Sequence, residues 1–311
     1  MKTKYDIHGA LSVNREGKLV DYNGEIVQLR GYSTHGLSWY PEYVNRDFFE
    51  FMRDQWHIDI VRLAMYTAEE NGYCVGDDKN REKLKEVIDR GVRAATELGL
   101  YVIIDWHILS DSNPLIHMDE SIRFFEEMAE KYHAYGNVFY EICNEPNVDC
   151  NWKDIKAYAE TVIPIIRKLD ENAVILIGTP SWSQNVDNAV NDPIKGFNNL
   201  MYVLHFYADT HRDDLRKIFE DAANAKLPLF VSEFGICDAS GQGESNLEQA
   251  KLWMDLLDKY QVSYLMWALA NRDESCATFI PTCTKTTGFL EEDLKDCAKW
   301  YINLLSEKIT K

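Results

Sequence analysis

Short apolar runs recur along the chain near residues 27–31, 59–64, 101–106, 137–143, 173–178, 200–206, 228–233 and 263–268, with starts 27 to 42 residues apart. Three of them, IVRLAM, YVIIDW and VILIG, are almost continuously apolar. That pattern belongs to strands covered on both faces. Between the runs the period becomes helical. From Lys83 to Leu98, residues Leu84, Val87, Ile88, Val92, Ala95 and Leu98 share one face, and Lys85, Glu86, Asp89 and Arg93 lie off it. Ser121 to Tyr132, Trp152 to Leu169, Asp213 to Ala225, Leu247 to Lys259 and Asp293 to Ser306 predict further outer helices. Strands alternating with helices of this length form βαβ units, and eight such units close most naturally into a (β/α)8 TIM barrel. Ahead of the barrel, Leu11-Ser12-Val13, Lys18-Leu19-Val20 and Glu25-Ile26-Val27 alternate around turn residues, predicting a short β-hairpin within residues 1–26 that closes the barrel bottom. The expected fold is α/β, one barrel domain over residues 1–311. A doubly wound sheet is the competitor, but no GxGxxG or GxxxxGK[ST] follows any strand.

Charge narrows the function. With 33 basic and 51 acidic side chains the net charge is −18, which argues against nucleic acid, because phosphate neutralisation needs a basic stripe. The densest charge clusters, Asp77 to Lys85 and Glu291 to Lys299, mix both signs and read as solvated helix faces. An uncharged substrate suits this surface best. No run reaches the 18 or so apolar residues of a membrane span, and Met1 to Gly9 lacks the apolar core of a secretory signal. The expectation is a cytoplasmic protein or one whose signal has been removed. The seven cysteines form no CxxC or CxxH pair, which argues against zinc. Cys276 and Cys283 are spaced to close a small loop, which spacing alone does not establish.

A barrel of this kind carries its site at the C-terminal ends of the strands. In this chain those ends read Tyr32, His35 and Trp39; Arg62 and Tyr66; Asp105-Trp106-His107; Asn144-Glu145-Pro146; Trp182; His205-Phe206-Tyr207; Ser232-Glu233-Phe234-Gly235; and Trp267. A carboxylate at the end of an apolar strand is costly to desolvate, so two at one mouth need partners or a chemical task. Hydrolysis of a sugar acetal provides one, with a neutral acid beside a charged nucleophile or base. Arg62 can keep one carboxylate ionised, and the aromatics offer flat faces to a pyranose. Blander readings stand beside these. His35 serves equally well as a capping or core histidine, and Tyr66 and Trp182 as loop packing. Trp56, Trp152, Trp253 and Trp300 lie on predicted helices and read as packing. Asp105, His107 and His205 lack an HExxH context for a metal, and Ser181 lacks the GxSxG elbow.

The strand-end residues resemble glycoside hydrolase family 5, the clan A cellulases. The likeness extends through LRGYSTHGLSW at 29–39, VRLAMY at 61–66, DWH at 105–107, DPIKGFNNLMYVLHFYADTH at 192–211 and VSEFGICDASG at 231–241. It is nearest to the bacterial secreted endoglucanase branch. The resemblance implies Glu145 as acid/base and Glu233 as nucleophile, with Arg62 holding Glu233 and Asn144 bonding the substrate 2-hydroxyl. It implies that His107, His205 and Tyr207 orient the carboxylates and the sugar, that Trp267 is a stacking platform, and that Trp39, Tyr66, His35 and Trp182 line neighbouring subsites. Arg272 stands where the branch usually has Lys, with Glu274 beyond it, and the change of donor geometry bears on contacts with the more distant sugars. The implied protein is a secreted, monomeric, retaining endo-β-1,4-glucanase without cofactor or metal, whose partners are β-1,4-glucan and cello-oligosaccharides and neither nucleic acid nor membrane. A β-mannanase, a mixed-linkage glucanase and a carbohydrate-binding protein that has lost activity are the alternatives.

Overall fold

The computed structural model describes residues 2–309. Eight parallel strands close into a barrel: β3 (Arg30–Thr34), β4 (Ile60–Tyr66), β5 (Tyr101–His107), β6 (Val138–Glu141), β7 (Val174–Ile177), β8 (Leu200–Val203), β10 (Leu229–Gly235) and β11 (Tyr264–Leu269). They pair in that order, and β11 returns to β3, so the sheet has no open edge. The sixth run breaks after Val203 and resumes as β9 (Phe206–Tyr207), which pairs with the upper end of β10. His205 sits in the break.

The long helices cover the outside: α3 (Asp78–Leu98), α4 (Met118–Tyr132), α5 (Trp152–Leu169), α8 (Asp213–Asn224), α9 (Leu247–Lys259) and α10 (Asp296–Ile309). Local chemistry fixes their starts. Asp77, Asn151 and Asn246 each accept a backbone N–H of the first helical turn of α3, α5 and α9. After α3, Gly99 takes a left-handed φ of 68° and ends the helix. Several short helical stretches escape the sequence pattern, two of them beside the barrel strands. Arg46–Phe51 (α2) continues as a π turn through Met52–Trp56, and Asp187–Asn191 (α7) follows β7. Both are short, so neither spans enough turns to display a period. The last predicted helix begins later than expected, a 3-10 turn at Glu291–Asp293 preceding α10.

The hairpin strands β1 (Ser12–Val13) and β2 (Leu19–Val20) pair antiparallel after a short helix, α1 (Lys4–His8). Leu11, Leu19 and Val27 pack with Ile60, Tyr101, Ile103, Phe139, Leu176, Met201 and Phe230 in one buried cluster, so the hairpin plugs the barrel floor. Val13 N–H donates to Asn199 Oδ1 (2.9 Å) and the Tyr101 hydroxyl to Gly9 O (2.7 Å), tying the plug to the barrel. Two aromatics at strand ends face the helices instead of the mouth. Tyr32 packs on Trp56 and Tyr301, and Trp106 on Tyr73 and Phe124. Trp56, Trp152 and Trp253 are likewise buried against the outer layer. All seven cysteines are free thiols, and Cys276 and Cys283 do not close a loop. Among the described residues no helix is long and apolar enough to cross a membrane.

Candidate active site

Alternation along each strand carries one side chain in two into the barrel interior. On β4 the inward set continues upward from Ile60 to Arg62, on β5 from Ile103 to Asp105, and on β6 from Phe139 to Glu141. Above the apolar floor, therefore, the interior becomes charged.

Arg62, fully buried, is its centre. Nε and Nη2 reach both oxygens of Glu141 (2.8 and 3.1 Å), Nη2 also meets Asn144 Oδ1 (2.6 Å) and Asp105 Oδ2 (3.0 Å), and Nη1 meets Ser33 Oγ (3.3 Å) and Glu233 Oε2 (3.2 Å). Burial opposes the Arg62 charge, but Asp105, Glu141 and Glu233 together outweigh burial and hold the guanidinium protonated. One cation faces several carboxyl groups here, so not all of them can be ionised. Asp105 is pushed up to about 7 by burial against the pull of Arg62, and Glu141 is raised for the same reason. Glu141 was not picked out from sequence. Its signal was present: an acid inside the apolar run VFYEIC.

The hydrogen bonds fit one assignment of the protons. Ser232 Oγ donates to Glu141 Oε1 (2.7 Å), which uses its one proton, so it accepts from His205 Nε2 (2.9 Å). Burial lowers the His205 pKa to about 4, leaving the ring neutral with a bare Nδ1. That Nδ1 lies 2.9 Å from Glu145 Oε1, so the proton between them belongs to Glu145. Consistently, burial raises Glu145 to about 8, with Asp105 and Glu141 adding to the effect. Glu233 is raised to about 7 by burial and by Glu145, but His205, Arg62 and Tyr207 pull it back, and the Tyr207 hydroxyl donates to Oε1 (2.8 Å). The contacts differ in sense: Tyr207 and Arg62 favour the charged form of Glu233, whereas a neutral His205 favours the protonated form of Glu145. Donor atoms of Glu145, His205 and Glu233 lie within 4.8 Å of one another. A cation could be held there only on atoms the proton network already uses; among the described residues the other such group, His8, Asp21 and Glu25, lies on the floor side.

The remaining sequence-named residues surround this pair. His107 donates through Nδ1 to Asp105 Oδ2 (2.6 Å), and its Nε2 accepts from Asn144 Nδ2 (3.2 Å). Its contact is with Asn144, and it touches neither carboxylate of the pair. Asn144 is fully buried, with Nδ2 also donating to Ile108 O (3.0 Å), so its amide is already held on both sides. His35, Trp39, Tyr66, His107 and Trp267 form a continuous aromatic wall, with centroids 4.1 to 5.6 Å apart between successive rings. His35 fits both of its readings, because Nδ1 accepts Gly36 N–H (2.7 Å) while the ring lines the cleft. Arg272 Nε pairs with Glu274 Oε1 (2.7 Å) at the same rim. Trp182, 44% exposed, stands on the far side. All of these except Arg62, Asn144 and Asp105 line one cleft of about 610 Å³. His211 and Gln184 also line it and were not singled out from sequence, since neither sits at a strand end. His211 Nδ1 accepts Tyr207 N–H (2.8 Å) and so steadies the residue that holds Glu233.

Comparison with known proteins agrees with the geometry. The cellulase model of glycosyl hydrolase family 5 matches residues 20–273. Endoglucanase A of Butyrivibrio fibrisolvens is 48% identical over 309 residues, 99% of this chain and 70% of its own length. An endoglucanase of Clostridium saccharobutylicum is 44% identical over 89% of this chain, which spans 61% of that relative's length. Among solved structures, the catalytic domain of Thermobifida fusca endoglucanase Cel5A superposes with a TM-score of 0.92 at 34% identity, covering 98% of this chain and 100% of that one. A variant of that domain has been solved with cellotetraose, with a TM-score of 0.90 at 33% identity, covering 98% and 100%. A paired-carboxylate cleft on a closed (β/α)8 barrel, and a family match over most of the sequence, agree: the chain belongs to the cellulases of glycosyl hydrolase family 5.

Proposed function

We propose that the chain is an endo-β-1,4-glucanase acting by retaining double displacement. The observation that carries the reading is the geometry of two carboxyl groups whose nearest oxygens are within 4.8 Å, one facing the His205 ring and the other held by Tyr207 and Arg62. Retaining enzymes need a carboxyl separation of about 5–5.5 Å, whereas an inverting mechanism needs room for a water between them. Glu233, ionised and aimed by Tyr207 and Arg62, attacks the anomeric carbon. Glu145 passes its proton to the departing glycosidic oxygen, and His205 keeps its Nε2 proton throughout. Once Glu233 is esterified its charge is gone, the Glu145 pKa falls, and Glu145 deprotonates the water that frees the sugar. Arg62 balances the buried charge, and Asn144, oriented by Arg62 and His107, is proposed to bond the 2-hydroxyl.

The long aromatic wall and Trp182 on opposite sides of the pair support several subsites and internal cleavage. The names of the relatives and the cellotetraose bound by a neighbour favour glucan over mannan. Since such a polymer does not enter cells, the enzyme is proposed to act as a secreted monomer. Two measurements test the reading. Hydrolysis of cellotetraose followed by NMR gives the β-anomer first, and the viscosity of soluble cellulose falls before reducing ends accumulate. An α-anomer first, or cellobiose release without an early viscosity drop, overturns the retaining or the endo assignment respectively.

A further inference from the structure

After β7 the chain makes a single left-handed turn, α6 (Pro180–Ser183). Ser181, Trp182 and Ser183 have φ of 58°, 56° and 57°. Residues with a Cβ avoid this region, and three in succession persist only where surrounding contacts enforce it. The contacts here run to the acid of the catalytic pair. Ser183 Oγ, fully buried, donates to Asn144 O (2.6 Å), and Trp182 N–H donates to Pro146 O (3.0 Å), so the turn grips the backbone on both sides of Glu145. Ser183 O accepts the N–H of His205 (2.8 Å), the residue whose Nδ1 faces Glu145. The approach is close: a Cβ on Gly178, at the head of the turn, would lie 2.3 Å from Cys143 O and 2.9 Å from Asn144 O. The same turn displays Trp182 in the cleft, on the Glu145 side, where the departing sugar lies in the proposed reaction.

Resting on that reading, we propose that Ser183 is a positioning residue for Glu145, and that its turn couples sugar stacking on Trp182 to placement of the acid. A glucan residue seated on Trp182 holds the turn, and the turn holds the Glu145 backbone and His205 in register with the glycosidic oxygen. The proton donor is then best placed when the leaving-group side is occupied.

Acid placement is read by leaving-group dependence. Ser183→Gly keeps the left-handed backbone free of strain and deletes only the hydroxymethyl group. Phenyl β-cellobioside needs protonation to depart and 2,4-dinitrophenyl β-cellobioside does not. We expect kcat/KM on the phenyl substrate to fall about ten- to a hundredfold, and on the dinitrophenyl substrate to stay within about twofold. Ser181→Gly relieves one left-handed residue and keeps the Ser183 hydroxyl, and should leave both substrates unchanged. Ser183→Ala carries the same comparison if the glycine variant does not fold. On cellotetraose, Trp182→Ala and Ser183→Gly should be non-additive, because both break one coupling. Equal loss on both aryl substrates, no loss on either, or the same pattern from Ser181→Gly overturns the positioning role. Strict additivity overturns the coupling. A wild-type enzyme inactive on all three substrates would instead sink the endoglucanase reading itself.

Discussion

The barrel interior has two halves built from the same strands. The lower half, Ile60, Ile103, Phe139, Leu176 and Phe230 under the hairpin plug, is apolar and closed. The upper half, one inward position further along β4, β5 and β6, holds Arg62, Asp105 and Glu141 beneath Glu145 and Glu233. Burial acts in opposite senses on the two. Below, removing each apolar side chain from water stabilises the fold by roughly 1.5–3 kcal/mol. Above, the same exclusion of water raises Asp105, Glu141, Glu145 and Glu233 and is tolerated only because Arg62 touches or faces all of them. The lower half provides rigidity, and the upper half converts that rigidity into fixed proton positions.

Substitutions in each half should separate these contributions, beginning with the pair. Glu233→Ala should lower kcat on cellotetraose by about 10⁵-fold. On the proposed roles, an activated aryl cellobioside should still glycosylate Glu233 in Glu145→Ala, and azide, which needs no base, should restore turnover and yield the β-glycosyl azide. Azide supplied to Glu233→Ala attacks from the vacated face and should yield the α product. NMR of the two azides distinguishes the roles, and exchanged configurations would mean that they are reversed.

Arg62→Ala strips the hub from the upper half, leaving uncompensated buried carboxylates, and should cost about 3–5 kcal/mol of stability. Because Arg62 lowers the Glu233 pKa, its loss moves the acid limb of the kcat/KM profile to higher pH. An unmoved limb in a folded variant would assign that task elsewhere. Phe139→Ala in the lower half should cost a similar ~3–5 kcal/mol from the cavity, yet leave both limbs where they were. A shifted profile would show that the halves are not separable.

Stability itself should depend on pH through the upper half. Asp105, Glu145 and Glu233 have folded pKa values raised to about 7, 8 and 7. The folded state therefore holds their protons more tightly than the unfolded chain does. That contribution is complete below the unfolded carboxyl range near ~4, and it is lost as pH rises through 7 to 8. The melting temperature should fall across this window, and less steeply in Glu145→Gln. The smallest expected effect is Tyr207→Phe. Losing a hydrogen bond to a charged group worth roughly 1.5–3 kcal/mol should raise the acid limb by about one to two pH units.

Much of this was legible in the sequence, for a definite reason. Strand and helix periods repeat over many residues, so the eight strands and the long helices announce themselves, and the barrel rule then identifies the strand ends as the place to look. Glu145, Glu233, His205 and Tyr207 were found that way. What stayed hidden depends on contacts between distant strands. Nothing local tells that Ser232 lies between Glu141 and His205, or that His205 in turn meets Glu145. That His107 bonds Asn144 while its ring stacks on Trp267 and lines the cleft is likewise a tertiary fact, set by how neighbouring strands align. The left-handed turn at Ser181–Ser183 was invisible because none of its residues is glycine, so composition gave no sign of positive φ.

The free cysteines have a practical consequence. Loop-closing cross-links contribute nothing to the integrity of this barrel, because every thiol is unpaired and six of the seven are buried in packing. Reducing agents should therefore leave the melting temperature unchanged. An enzyme proposed to work outside the cell thus holds its fold without a cross-link that reduction could break.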